Sequence, residues 1–110
     1  MLKYYYLQRN VDHSGNSGTG KVAHVFSIDG FGALLVWDGN NAAKTQSVVV
    51  YFSLDDLIAI HGHNGDTILV EQDIAEIDLS EVFELVDKAQ ENYIAIANEL
   101  FELENPDDEE

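Results

Sequence analysis

The residues with the most direct chemical implication are Gly15, Gly20 and Lys21, because their spacing is that of a phosphate-binding P-loop. Such a loop binds phosphate through backbone N–H groups where a buried strand ends and a helix begins, and a Ser or Thr after the lysine binds magnesium. Here the polar residues NVDHS precede the motif, Val22 follows the lysine, and VAHVFSI is typical of a strand. The flanks therefore favour a glycine-rich connection between strands, and we expect no nucleotide and no other cofactor.

A second candidate site is the His-Gly-His turn at residues 61 to 63, which Asp66 follows closely. Two imidazoles and a carboxylate could bind zinc or nickel, but a structural zinc site needs four ligands, and the only other histidines are His13 and His24. A general base would also need a nucleophile and an orienting acid in a cleft. We therefore predict a turn whose histidines hydrogen-bond with backbone groups, with no catalytic residue and no metal ligand. A metal-binding module or small enzyme centred on this turn is the alternative.

The net charge of −16 is concentrated in the last third of the chain. Residues 1–70 contain six acidic and four basic residues, whereas residues 71–110 contain fifteen acidic residues and only Lys88 as a base. The chain is therefore a nearly neutral body joined to a strongly acidic region. Such a region repels nucleic acid and anionic membranes and attracts basic partners in a salt-dependent way. We expect no direct nucleic-acid or membrane binding.

Hydrophobic periodicity positions this acidic region on a helix. From Asp78 the apolar residues repeat every 3.6 positions, and Asp78 with Glu81 fits a capping box, so a helix is predicted over residues 78–103. At about 100° per residue, one half of the helix is apolar, and the likeliest anchors for a homodimer or a docked partner are Phe83, Tyr93, Ile94, Leu100 and Phe101. The other half carries the acidic row Glu81, Glu84, Asp87, Glu91, Glu99 and Glu102.

The first 72 residues have the pattern of short antiparallel strands. Strands are predicted over residues 2–8, 21–28, 31–37, 46–52 and 67–70, with a hairpin turn at Asp29-Gly30 and a short helix capped by Ser53 before the last strand. The predicted fold is therefore α+β: a small antiparallel SH3-like β-domain (1–72), one long amphipathic helix (78–103) and an acidic tail (104–110), all within a single domain.

Length and composition narrow the class of protein further. A chain of 110 residues with 45% hydrophobic residues has room for one modest core, and with no cysteine it must fold without disulfides or thiolate metal sites. No apolar run approaches the roughly 18 residues needed to cross a bilayer. These features predict a cytoplasmic protein.

The motifs of the β-domain resemble those of a group of small phage and prokaryotic proteins with no assigned activity. The shared pattern is SGxSGTG, then DG and a tryptophan, then a serine, a Tyr-x-Ser segment and HGHxGxT. It is matched here by Ser14, Gly15, Ser17, Gly18, Thr19, Gly20, Asp29, Gly30, Trp37, Ser47, Tyr51, Ser53, Asp56, His61, Gly62, His63, Gly65 and Thr67. The group usually has an arginine before the tryptophan, where this chain has Val36. The resemblance implies a shared β-domain and a phage origin, with the acidic helix as this member's own addition.

Together these observations predict a non-enzymatic, phage-encoded binding protein in the host cytoplasm. Its acidic row would imitate a phosphate backbone and block a basic nucleic-acid-binding host protein, such as a nuclease, a restriction enzyme, a CRISPR effector or a polymerase component. A structural homodimer whose acidic helix serves only solubility is the further alternative.

Overall fold

A computed structural model describes residues 1–10, 19–39, 44–62 and 65–104. Five strands precede a long C-terminal helix, which confirms the predicted α+β fold with an N-terminal β-domain. In chain order the elements are β1 (Leu2–Arg9), β2 (Gly20–Ile28), β3 (Gly32–Asp38), β4 (Gln46–Tyr51), α1 (Leu54–His61), β5 (Thr67–Gln72) and α2 (Ser80–Glu104). A 3-10 turn at Ile74–Glu76, which the sequence pattern did not predict, connects β5 to α2.

The strands form one antiparallel sheet in the order β4-β3-β2-β1-β5. The chain runs as a meander from β1 to β4, and the last strand then returns beside the first after the short helix α1. This is the arrangement expected for an SH3-like domain with a helical turn before its last strand. The register between β1 and β2 shifts between Leu7 and Gln8, so one extra residue of β2 bulges there and increases the local twist.

One face of the sheet is covered by α1. Strand alternation places the side chains of Leu7, Val25 and Leu35 on this face, and Leu57 of α1 packs against them with none of its surface exposed. The helix begins as predicted: the Oγ atom of Ser53 accepts a hydrogen bond from the backbone N–H of Asp56 at 3.1 Å. It extends through His61.

The opposite face is covered by the first turns of α2. Tyr4, Phe26 and Val36 from three neighbouring strands pack against Val82 and Leu85, and the helix side chains are only 4% and 8% exposed. The sheet thus has an apolar layer on both faces, and its two helices lie on opposite sides. The protein therefore has two small cores rather than one.

The helix α2 begins at Ser80, two residues later than predicted. The carboxylate of Asp78 accepts hydrogen bonds from the backbone N–H of Ser80 at 3.0 Å and from the Ser80 hydroxyl at 2.8 Å. These two bonds, the backbone bond first, hold the pKa of Asp78 below its usual value. The carbonyl of Leu79 accepts the first helical bond, from Phe83. Asp78 was expected to be the N-cap residue. It instead lies one residue before the N-cap position, which Leu79 occupies, and its carboxylate accepts hydrogen bonds from Ser80 at the start of the helix.

More than half of α2 projects beyond the sheet. After Ala89, which is half-buried, all residues from 90 to 104 are exposed except Ala97, which is partly covered. These fifteen residues, called the overhang below, are about 22 Å long at 1.5 Å per residue. They give the molecule its elongated dimensions of 56 × 31 × 25 Å.

The turn between β2 and β3 depends on two glycines with different surroundings. Gly30 has a φ of +84° in open space, and Gly32 has a φ of +122° at a point where a Cβ atom would run into the backbone carbonyl of Tyr51. Left-handed backbone costs a non-glycine residue about 1–2 kcal/mol, and only Gly32 adds a steric conflict with the next strand. Gly32 is therefore the glycine that lets β3 and β4 approach each other.

We expect Gly32→Ala to lower the free energy of unfolding by more than Gly30→Ala, which serves as the matched control. Gly30→Ala should cost about 1–2 kcal/mol from backbone strain alone, and Gly32→Ala should add the displacement of β4. Urea denaturation followed by tryptophan fluorescence measures both. Equal losses would contradict the close approach at Gly32.

Candidate functional site

The acidic row of α2 is fully accessible. All six predicted side chains are exposed and lie within about 120° of the helix circumference, on the side away from the sheet. From the first to the last the row is about 32 Å long, at 1.5 Å per residue. Its members are Glu81, Glu84, Asp87, Glu91, Glu99 and Glu102. The single base on this side is Lys88, so the row presents a nearly uniform negative charge.

The apolar side chains predicted as anchors are also exposed. Phe83, at the root of the helix, is 63% exposed although its neighbours Val82 and Leu85 are buried. On the overhang Tyr93, Ile94, Leu100 and Phe101 are 50 to 70% exposed, and the structure adds Ile96 and Leu103 to this group. These side chains do not contribute to either core, so their apolar surface is available to a partner.

In the part that the structure describes, the P-loop-like segment leads into a strand, whereas a phosphate-binding P-loop leads into the N-terminus of a helix. Lys21 lies in β2, where its ammonium is 4.5 Å from the centre of the Tyr6 ring and 3.4 Å from the side-chain oxygen of Gln72. The backbone of Gly20 has a positive φ at the start of the same strand. Gly15 lies outside the described residues. At Gly20 and Lys21 the structure therefore agrees with the interpretation of this segment as a connection that leads into a strand.

At the His-Gly-His turn, His61 lies in a cluster of aromatic side chains. Its Nε2 atom is 2.9 Å from the Tyr51 hydroxyl, and its ring lies 6.0 Å from the Trp37 ring. Burial raises the pKa of Tyr51, so the phenol is protonated near neutral pH. His61 thus hydrogen-bonds with the side chain of Tyr51, and the backbone bonds expected for this turn stay a prediction. A groove of about 590 Å³, mostly apolar, opens beside His61 between α1 and β5.

The metal-site hypothesis concerns residues that the structure covers only in part. Within residues 1–10, 19–39, 44–62 and 65–104, no three His, Asp or Glu side chains are grouped closely enough to bind one ion. His63 and His13 lie outside those ranges. The alternative of a metal-binding module at this turn therefore stays a prediction.

A partly buried chain of polar side chains connects the first three strands, and the sequence analysis missed it. The Tyr4 hydroxyl is 2.8 Å from His24 Nδ1, and His24 Nε2 is 3.0 Å from a carboxylate oxygen of Asp38. With His24 Nε2 donating to the Asp38 carboxylate, a neutral imidazole has Nδ1 free to accept a hydrogen bond from the phenol. The three residues are separated by 20 and 14 positions, and only the strand register brings them together. No local motif could have indicated this chain.

Electrostatics favour the protonated phenol within this chain. Burial is the main cause that raises the pKa of Tyr4, and the negative charge of Asp38 and the neighbouring Tyr6 raise it further. Tyr4 is 2% exposed and packs in the core beneath α2, and its hydroxyl has His24 as a hydrogen-bond partner. The chain therefore connects β1, β2 and β3 from the edge of this core.

None of the helices in the described ranges is both long enough and apolar enough to cross a lipid bilayer. Neither a curated protein nor a solved structure matches the chain.

The fold and these surfaces define a small α+β protein in which a five-stranded domain carries an amphipathic acidic helix. The chain belongs to the family described as Acb5 phage protein, whose sequence profile matches residues 2–73. It is therefore a small phage-encoded protein, as the sequence motifs had suggested. The matched range covers all five strands and α1 and ends before α2 begins at Ser80.

We expect Tyr4→Phe to lower the free energy of unfolding at neutral pH by about 0.5–1.5 kcal/mol, because one buried hydrogen bond is lost. The variant should also change how the free energy of unfolding falls at alkaline pH. Since the pKa of Tyr4 is raised in the folded state, the unfolded phenol ionises first, near its ordinary value of about 10, and the folded state is destabilised as pH rises above that value.

Urea denaturation between pH 7 and pH 11 measures this effect. Tyr4→Phe should flatten the alkaline loss of stability, and adding Tyr51→Phe, which removes the other phenol with a raised pKa, should flatten it further. An alkaline slope identical in the wild type and the double variant would contradict the role of these two phenols.

Proposed function

We propose that this phage protein is a non-enzymatic inhibitor of a basic, nucleic-acid-handling protein in the cytoplasm of the host cell. The observation that carries the proposal is the exposed acidic row of α2, on a helix of which more than half stands clear of the domain. A partner that normally binds nucleic acid with a positively charged surface would bind this row instead. A restriction enzyme or other nuclease, a CRISPR effector or a polymerase component has such a surface.

The dimensions of the row are compatible with imitation of a phosphate backbone. Its carboxylates follow one another at axial intervals of about 5 to 12 Å, whereas one DNA strand spaces its phosphates 3.4 Å apart along the axis. The row is thus a coarser array of negative charge, and its length of about 32 Å is close to one turn of duplex DNA, roughly 34–36 Å. It could occupy a binding surface shaped for one turn.

Charge segregation supports the same proposal. The β-domain is nearly neutral, so the negative field is directed from one side of the molecule rather than spread over all of it. A localised field steers a basic partner toward one surface and accelerates association at low ionic strength.

We expect the triple variant Glu84→Gln, Glu91→Gln, Glu99→Gln to bind the partner roughly tenfold or more weakly at low salt. The salt dependence of the remaining affinity should be shallower, because fewer charges are neutralised on binding. Gln has nearly the same helix propensity as Glu, so α2 should remain folded, as circular dichroism would verify.

The matched control makes the same change in net charge on the β-domain. Asp29→Asn, Asp55→Asn and Glu71→Gln also remove three exposed carboxylates, but none lies on α2. This control should retain wild-type affinity. The partner is first isolated from host lysate on tagged protein at low and high salt, and the purified complex is then tested for loss of nucleic-acid binding. Equal weakening by both triples, or inhibition unaffected by either, would overturn the proposal.

A further inference from the structure

The overhang continues the apolar face with which α2 packs on its own sheet. Apolar side chains alternate at spacings of four and three residues along the helix, the repeat typical of coiled coils. The row consists of Val82, Val86, Ala89, Tyr93, Ile96, Leu100 and Leu103. Its first three members lie against the sheet, whereas its last four are 60 to 77% exposed. One continuous seam is therefore covered in its first half and bare in its second.

We propose that two copies of the chain pair through residues 90–104 of α2, with the two helices antiparallel. This pairing does not depend on the proposed inhibitory function. The exposed half of each seam packs against the exposed half of the other. The apolar seam of each helix is then covered along its whole length.

The bare area fits a second copy of the same helix. The overhang has six large apolar side chains, between 50 and 77% exposed. Four of them, Tyr93, Ile96, Leu100 and Leu103, belong to the seam. At roughly 200 Å² for each such side chain, these four leave on the order of 540 Å² uncovered in each chain, so a pair buries about 1,100 Å² in total, at the low end of specific interfaces. A patch of this size is at the upper end of what monomeric proteins expose.

The position of the β-domain decides the orientation. At residues 82–89 the seam is occupied by the chain's own sheet. In a parallel pair the first half of the partner helix would have to lie in that same space, and the two β-domains would collide. In an antiparallel pair centred at the level of Asn98, the first half of the partner helix lies beyond Glu104, the last described residue of α2, and away from the sheet. Only the antiparallel arrangement pairs the overhangs without moving the sheets.

Charge favours the same orientation. The acidic row is on the opposite side of the helix, so the seam itself contains no charged side chain. Glu102 and Glu104, in the last described turn of α2, would be adjacent to their counterparts in a parallel pair and are separated from them by the length of the overlap in an antiparallel one. The like charges of two copies are thus kept apart at opposite ends of the dimer.

A groove at the root of the overhang can accept the end of the partner helix. It has a volume of about 600 Å³ and lies between β4 and α2, with Val48, Leu85, Lys88 and Tyr93 among its lining residues. Antiparallel pairing brings the partner's Leu103 level with Tyr93 at the mouth of this groove. The negative C-terminal end of the partner helix then comes within about one turn of Lys88, a favourable position for a cation.

Self-association is tested by charge placed on the seam. Ile96→Glu with Leu100→Glu should change the mass in sedimentation equilibrium from twice the chain's 12.2 kDa to the single value. Both residues are exposed in the single chain, so the variant should remain folded. The matched control, Ala95→Glu with Asn98→Glu, adds the same charge to the opposite face and should stay dimeric. A wild type that is monomeric at micromolar concentration, or any assembly larger than a dimer, overturns the proposal.

Orientation is tested by disulfide trapping. Because the chain has no cysteine, every disulfide must come from the introduced residues. In the antiparallel pair Ala97→Cys lies near the two-fold axis and should cross-link with itself, since bridged Cα atoms must lie within about 7 Å. Leu103→Cys should not cross-link alone but should do so when mixed with Tyr93→Cys. Efficient self-cross-linking of Leu103→Cys, or none in the mixture, would overturn the antiparallel arrangement.

Discussion

The packing of Val82 and Leu85 against Tyr4, Phe26 and Val36 is the contact on which the rest of the molecule depends. It fixes the first turns of α2 on one face of the sheet and leaves the remaining turns no surface to cover. Because these turns continue in a straight helix, the anchored end determines where the overhang points. Both the acidic row and the bare apolar seam owe their exposure to this one contact.

Each face of the sheet is covered by a different helix and forms its own apolar cluster. One face is closed by α1, with Leu57 fully buried against strand residues, and this half of the molecule lies wholly within the range shared with the family. The other face is closed by α2, which begins beyond that range. Since Tyr4 lies on the face under α2, the helix also packs over the tyrosine end of the polar chain.

Two tyrosine hydroxyls in this protein are hydrogen-bonded to histidines. His24 connects a phenol to a carboxylate across three strands, and His61 meets the phenol of Tyr51 beside Trp37. In each case the hydroxyl of a tyrosine that is at least partly buried has a hydrogen-bond partner, which is the condition for burying it. Neither histidine has to be a catalyst to account for its position, and both lie within the matched range of the phage family.

The sequence by itself determined what is local. Alternation of side chains, the turn at Asp29-Gly30 and the cap at Ser53 specified the strands and α1 to within about two residues, and the 3.6-residue period specified α2 and its two chemical faces. Tertiary structure decided what depends on register and packing: which strands are neighbours, that Tyr4, His24 and Asp38 meet, and how far α2 extends past the sheet. The physical reason is that hydrogen-bonding partners far apart in sequence leave no periodic signal, whereas an amphipathic helix encodes its faces in its own spacing.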